Sequence, residues 1–423
     1  MTAAAPATTA ELAPPSGVRI VAHCASLARL SEDGDAALTR VFLSTEHRAA
    51  NDLVRGWMRE AGMTARIDAI GNVVGRYEGR APGPACLMLG SHLDTVRNAG
   101  RYDGMLGVVT AIECVRALAE KGARLPFAIE VIGFGDEEGV RFGATLLGSR
   151  AVAGTFDPRV LDKRDRDGVS MRDALVAFGL DPEGIGSAAR RSDDILAYAE
   201  LHIEQGPVLE AHGLAVGNVT AINGAQRLMV ELRGTAGHAG TVPMSLRQDA
   251  LAAAAECVLA IEACARQTPD LVATVGMLEA KPGATNVIPG EARFSIDVRS
   301  PQDADRTAAV TRIRAAIGRI AAARRLTATI AQVHESRSVA CADWLQAQIR
   351  SAIAAEGHRV LDLPSGAGHD GMALAAIADI GMIFVRCSGG VSHNPREAIT
   401  AEDAAAGARV LLRFIEGFRP RAG

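Results

Sequence analysis

Apolar and polar positions along this chain fall into blocks of different period. Residues 18–62 place Met, Leu and Val at helical spacing, which predicts helix. Ile67, Ile70, Val73 and Val74 flank Gly71-Asn72 and predict a hairpin. Residues 85–89 and 127–134 are short apolar runs, the pattern of buried strands. Between them, residues 105–121 read as an amphipathic helix closed by Gly122. Residues 197–203 are a third strand candidate. After it, Gly206-Pro207 opens a short helix that Gly213 closes, following the preference for Pro at the first helical position and Gly after the last. Strand, turn, helix, strand and turn in this order indicate an α/β class, in which ligands gather beyond the carboxyl ends of the strands.

From about residue 214 the order changes. Residues 227–233 alternate as a strand, 246–266 form an Ala-rich helix, and 271–279 and 292–298 read as strands. A helix over 301–325 and a strand over 326–333 complete a β-α-β-β-α-β series, the order of a ferredoxin-like α+β domain. A helix over 342–356, a strand over 382–386 and a helix over 401–418 follow. The expected organisation is a catalytic domain of residues 18–213 and 335–423, split by an inserted domain of residues 214–334. No internal repeat of 20–50 residues is visible.

A length of 423 residues suits two or three domains. Apolar content of 48% and charged content of 22% describe an ordinary soluble globular protein. The net charge of −4 gives no basic footprint, so nucleic acid is not an expected partner. No apolar run reaches bilayer-spanning length, and no membrane association is expected. Residues 1–17 are Ala-, Thr- and Pro-rich and begin without Lys or Arg; they read as a disordered tail, not a signal peptide. Seven cysteines, odd in number and without a CxxC pair, favour reduced thiols in a cytoplasm. Cys24, Cys114 and Cys257 lie in apolar helical stretches and read as small buried hydrophobes.

Polar clusters sit where the apolar runs end. Gly90-Ser91-His92-Leu93-Asp94-Thr95 and Tyr102-Asp103-Gly104 supply an imidazole and two carboxylates. Gly135-Asp136-Glu137-Glu138-Gly139 adds an acidic cluster, and His202 and His393 lie in LHIEQG and SHNP. Neutral imidazole and ionised carboxylate are the donors a zinc-type or manganese-type centre needs. Two ions about 3.5–4 Å apart need one carboxylate to bridge them. His92, Asp103, Glu138, His202 and His393 make up such a set. Asp94, two residues from His92 on an extended segment, is placed to accept the second imidazole N–H and fix its tautomer. With no thiolate in the set, manganese, zinc and cobalt suit it alike.

The segments GSHLDTV, YDGMLGV, DEEGVRFG, ELHIEQGPVLE, GTAGHAGTVPM, NVIPG, SGAGHDG and VSHNPRE resemble those of the hydantoinase/carbamoylase group of two-metal amidohydrolases. That group includes N-carbamoyl-L-amino acid hydrolases, β-alanine synthases and allantoate amidohydrolases, and is related to dinuclear zinc aminopeptidases. The resemblance runs from about residue 20 to 418. It implies an aminopeptidase-like catalytic domain with the inserted domain serving as lid and dimerisation module, and two divalent metal ions per subunit. Asp103 would bridge the metals, His92 and His202 would complete one, and Glu138 and His393 the other. Glu137 would be the general base. Adjacent side chains of an extended turn point to opposite sides, so Glu137 can face substrate while Glu138 ligates. His238 would stabilise the oxyanion in the active site of a homodimer's partner subunit. Arg299 and Asn286 would hold the substrate's acid group, with Gln205, His369 and Gly368 as further substrate contacts. The inserted domain would close on the catalytic domain when substrate binds. The implied reaction is hydrolysis of a ureido C–N bond. Allantoate is the first substrate expected, because Gln226 and Arg227 offer polar groups for a second ureido arm. N-carbamoyl-L-amino acids are the alternative. A peptidase or deacylase reading is disfavoured by His202, where peptidase relatives usually place a carboxylate.

Overall fold

The computed structural model describes residues 15–421 apart from Pro82 and Pro84. The chain divides into two compact units. The first takes residues up to Thr220, Cys341–Leu363 and His369 onward; the second takes Ala221–Ala340 and Pro364–Gly368.

The first unit opens with α1 (Gly17–Ala28) and α2 (Thr45–Glu60), capped by the hydroxyls of Ser16 and Ser44. Residues 1–14 of the expected tail lie outside the described residues, while Ser16 and Gly17 begin α1. The single helical stretch expected over 18–62 is therefore two helices. Arg40 accounts for the break. Its buried guanidinium donates to the carbonyls of Leu27 at 2.7 Å and Leu30 at 3.0 Å, so a side chain serves the end of α1 in place of a further turn. The hairpin forms as expected, from β1 (Thr64–Ile67) and β2 (Val73–Tyr77). Asp68 Oδ1 shapes its turn by accepting from the N–H groups of Ile70, Gly71 and Asn72. Next come β3 (Cys86–His92), α3 (Met105–Glu120), β4 (Ala128–Phe134), α4 (Leu147–Val152), α5 (Met171–Ala177), β5 (Ile195–Ile203), α6 (Val208–Ala211) and β6 (Val216–Ile222).

The second unit holds β7 (Gly224–Arg233), β8 (Gly237–His238), α7 (Ala250–Arg266), β9 (Val272–Thr274), β10 (Leu278–Lys281), β11 (Val287–Ile288), β12 (Glu291–Ser300), α8 (Asp303–Ala323), β13 (Thr327–Ser336) and β14 (Val339–Ala340). Its sheet has the order β10-β12-β7-β13, with β9 also on β12, and all these pairs are antiparallel. Counting β9 and β10 as one interrupted strand gives the ferredoxin-like order 4-1-3-2. Leu228, Val230, Leu232, Phe294, Ile296 and Val298 line one face of this sheet and bury against Ala253, Cys257 and Ile261 of α7 and Ile313 and Ile317 of α8.

The chain then adds α9 (Asp343–Ala355), β15 (Asp362–Ser365), α10 (Gly371–Leu374), β16 (Ile380–Val385) and α11 (Ala401–Gly417). The first unit's sheet runs β1-β2-β4-β3-β5-β16-β6. β3 is parallel to β4 and β5, and β5 to β16. Every residue of β3, β4 and β16 is buried, which explains why they read as apolar runs and not as alternation. The boundary expected at 213/214 falls later because Val216–Val219 of β6 pair with β16. The boundary expected at 334/335 falls later because β13 keeps its pairing with β7 to Ser336 and β14 pairs with the end of β6.

Candidate metal centre

Parallel pairing brings the chemistry to one end of the first unit's sheet. His92 is the last residue of β3 and lies in register with Phe134, the last of β4. The acidic cluster follows Phe134 directly, and His202 stands one residue from the end of β5. Asn72, buried at the hairpin turn, steadies the acidic loop from below. Its Oδ1 accepts from Gly135 N–H at 3.0 Å and its Nδ2 donates to the Gly148 carbonyl at 3.2 Å.

Asp103 stands at the middle. Its Oδ1 lies 3.4 Å from His92 Nε2 and 3.2 Å from His202 Nε2. Its Oδ2 lies 3.2 Å from His393 Nε2, which in turn is 3.3 Å from Glu138 Oε1. Two donor groups therefore share one carboxylate: His92, Asp103 and His202 on one side, Asp103, Glu138 and His393 on the other. The tautomers suit ligation. His92 Nδ1 lies 3.0 Å from the Asp94 carbonyl and His202 Nδ1 lies 2.9 Å from the Ile203 carbonyl. A carbonyl only accepts, so Nδ1 carries a proton and, in the neutral ring, Nε2 offers its lone pair. Three imidazoles, two carboxylates and no thiolate fit a pair of divalent cations. Burial pushes the Asp103 carboxyl up, but His202, His393 and His92 outweigh it and hold it well below the usual range. Asp103 and Glu138 together push the His393 imidazole up to about 10.

Backbone strain concentrates here. Asp136, Gln205 and His393 all have positive φ, of 60°, 57° and 52°. Each costs on the order of 1 kcal/mol, which the surrounding fold sustains. The turn at Asp136 also overturns the expectation that Glu137 and Glu138 diverge. An oxygen of each lies within 4.8 Å of the other and of a His92 nitrogen. Only Glu138 also joins Asp103 and His393, so Glu137 is the carboxylate left over. Burial, with Glu138, Asp370 and Asp94 nearby, pushes Glu137 well up despite His92.

Asp94 departs from its expected part. Its carboxylate stays 3.8 Å from His92 Nδ1, and its main-chain carbonyl takes that proton instead. The two carboxylate oxygens accept from the N–H groups of Glu137 and Glu138, both at 3.1 Å. Asp94 thus holds the acidic loop and touches the imidazole only through its backbone. Gln205 also differs from expectation, since its Nε2 donates to Asp103 Oδ2 at 2.8 Å. His369 is buried with its ring 4.5 Å from that of His202. Glu200, which the motifs did not single out, accepts from Ser91 Oγ at 2.8 Å beneath the same residues. Glu397 is a further group that sequence reasoning left unassigned, although VSHNPRE contains it.

The remaining expected contacts lie in the second unit. His238 on β8 pairs with Val287 on β11, which puts Asn286 beside it; the Asn286 carbonyl accepts from Ala239 N–H at 2.9 Å. Gly240 N–H donates to His238 Nδ1 at 3.0 Å, so the neutral ring of this exposed histidine carries its proton on Nε2. Arg299 is in register with Ala225, and Gln226 with Val298, so Gln226 and Arg299 face opposite sides of the sheet. Gln226 is buried on the helix-covered side, where its Nε2 donates to Gln332 Oε1 at 2.5 Å. Arg299 grips Asp297 with Nε at 3.1 Å and Nη2 at 2.9 Å, and Nη1 donates to the Gly366 carbonyl. Gly368 is exposed two residues beyond. Arg227 Nε also donates to Asp297, so two guanidinium groups share one carboxylate and leave an excess positive charge. These three side chains border a cavity of about 660 Å³, walled by Met229, Val272 and Val333.

The model of peptidase family M20/M25/M40 matches residues 88–417. An N-carbamoyl-L-amino acid amidohydrolase of Geobacillus stearothermophilus is 43% identical over 399 residues, 94% of this chain and 98% of that protein. Allantoate deiminase 1 of Glycine max is 39% identical, over 94% of this chain and 88% of that protein. The crystal structure of a hydantoinase/carbamoylase family amidase from Burkholderia multivorans aligns with a TM-score of 0.89 at 34% identity, covering 95% of this chain and 97% of that one. Together with the shared fold and the paired donor groups around Asp103, these likenesses show that the chain belongs to peptidase family M20/M25/M40, in its hydantoinase/carbamoylase group of amidohydrolases.

Proposed function

We propose that the protein hydrolyses a ureido C–N bond with the help of two divalent cations, one on each side of Asp103. The observation that carries this reading is the division of Asp103, with Oδ1 toward His92 and His202 and Oδ2 toward His393. Manganese, zinc and cobalt all suit the donors. Bound there, such ions would polarise the ureido carbonyl and lower the pKa of a water between them. Glu137, the carboxylate outside the Asp103–Glu138–His393 group, takes the proton of the attacking water and returns it to the departing nitrogen. Asp94 keeps Glu137 and Glu138 in place through their N–H groups. His238, with its proton on Nε2, donates to the developing oxyanion. We place that histidine in the site of the partner subunit of a homodimer formed through the second unit. The excess positive charge of Arg227 and Arg299 attracts the substrate's acid group, and Asn286 adds a neutral donor.

Two substrate classes suit this chemistry. Allantoate relied on Gln226 for its second ureido arm, and Gln226 faces the other side of the sheet. The apolar walls beside Arg299 suit the side chain of an N-carbamoyl-L-amino acid better. The test is ammonia release from allantoate and from N-carbamoyl-L-methionine by protein stripped of metal and reloaded with manganese. Metal-dependent turnover of the carbamoyl amino acid, faster than of allantoate, is expected. Turnover of allantoate alone would reverse the order, and turnover of neither with two metals bound would refute the reaction.

A further inference from the structure

Glu397 stands four residues after His393, buried, and it reaches back to the loop that carries Asp103. Its Oε1 accepts from Tyr102 N–H at 2.8 Å and from Asp103 N–H at 3.1 Å. The fit is close, because a Cβ at Gly100 would come within 2.2 Å of the Glu397 carboxyl carbon. Its Oε2 lies 2.9 Å from Ser392 Oγ, and the same hydroxyl lies 3.0 Å from Asp103 Oδ2. A serine hydroxyl has one proton, so it donates to one of these carboxylates and not to both. Asp103 Oδ2 already accepts from Gln205 Nε2 at 2.8 Å and faces His393. A second donor on that oxygen would use the lone pair a cation needs.

We propose that Glu397 is a positioning residue for the His393 side of the centre: it anchors the backbone of Asp103 and draws the Ser392 proton away from Asp103 Oδ2. The inference rests on the two-cation reading above. Glu397 lies outside both donor groups and acts through Asp103. Loss of this carboxylate therefore weakens one cation more than the other. A residue that merely supported the fold would lower the melting temperature and leave the two affinities in their original ratio.

The two roles separate by substitution. Glu397→Gln keeps an oxygen for the two N–H groups but can turn its amide N–H₂ toward Ser392, which then donates to Asp103. Glu397→Ala removes both roles. The experiment is manganese titration of the full-length, metal-stripped protein, followed by calorimetry and by metal content after gel filtration. Wild type takes up two ions. E397Q is expected to weaken one of them at least threefold and leave the other within twofold, with a metal-free melting temperature near that of wild type. E397A is expected to weaken the same ion tenfold or more. E397Q binding both ions as wild type does would overturn the proposal, whether or not E397A folds. Absence of manganese uptake by the wild type would instead sink the two-cation reading itself.

Discussion

At the scale of single residues, Asp103 and its neighbours divide the work by which atom faces which partner. Glu137 is the carboxylate near His92 that does not join Asp103 and His393. Glu137→Gln should therefore lower turnover by about 10²–10⁴-fold with both metals retained. Metal analysis alongside kinetics checks it, and loss of metal would mean that Glu137 ligates. Gly104 is the second test. It has φ +69°, and a Cβ there would lie 2.5 Å from the His92 ring. Gly104→Ala should push the imidazole off line and weaken metal binding at least tenfold. An unchanged metal titration would mean that the ring tolerates the shift. That His92, Asp103, Glu138, His202 and His393 come together was readable because each is a polar residue at the end of an apolar run, just after one or between two. The burial of Gln226 on the face opposite Arg299 was not, because one step of register moves a side chain to the other face of a sheet. Glu397 was not either. It is one acid in a polar loop, and its partner Tyr102 is 295 residues away in sequence.

At the scale of elements, the helices and buried strands were readable from period, while interruptions were not. The strand expected over 271–279 is divided into β9 and β10, and the stretch 18–62 is broken where Arg40 intervenes. Period reports which face is buried; it does not report a side chain that replaces a helical turn. The start of α2 carries its own consequence. His47 is fully buried, and its Nδ1 accepts from Leu43 N–H at 3.2 Å. Burial, helped by Arg40, Arg48 and Arg141, pushes its pKa down to about 3. The unfolded chain would bind that proton near pH 6.5 while the folded chain refuses it. The folded state therefore loses stability as pH falls from about 6.5 toward 3, by about 1.4 kcal/mol per pH unit from this group. Urea unfolding at pH 6 and pH 5, for wild type and His47→Gln, isolates the effect. Equal losses in the two proteins would exclude His47 as the cause.

At the scale of the whole molecule, the α/β class and the ferredoxin-like order followed from the sequence of elements, but the borders between units did not. Two of them, after Thr220 and after Leu363, lie inside the continuous strands β6 and β15. If, as proposed, a partner's His238 completes the site, the consequence is one that single-chain measurements miss. Mixing inactive E137Q with inactive H238A should restore roughly a quarter of wild-type activity, since half the dimers are mixed and each has one intact site. No recovery after subunit exchange, or a sedimenting species of 44.0 kDa alone, would exclude the shared site. The place of β16 in the first unit's sheet, between β5 and β6, has a consequence for biosynthesis. Both neighbours leave the ribosome more than 150 residues before β16 does. Until then β5 and β6 present open edges of the kind that recruits other chains. The last strand to emerge closes that gap and His393 follows it, so a nascent chain cannot acquire a complete donor set before the strand that seals its edges has been made.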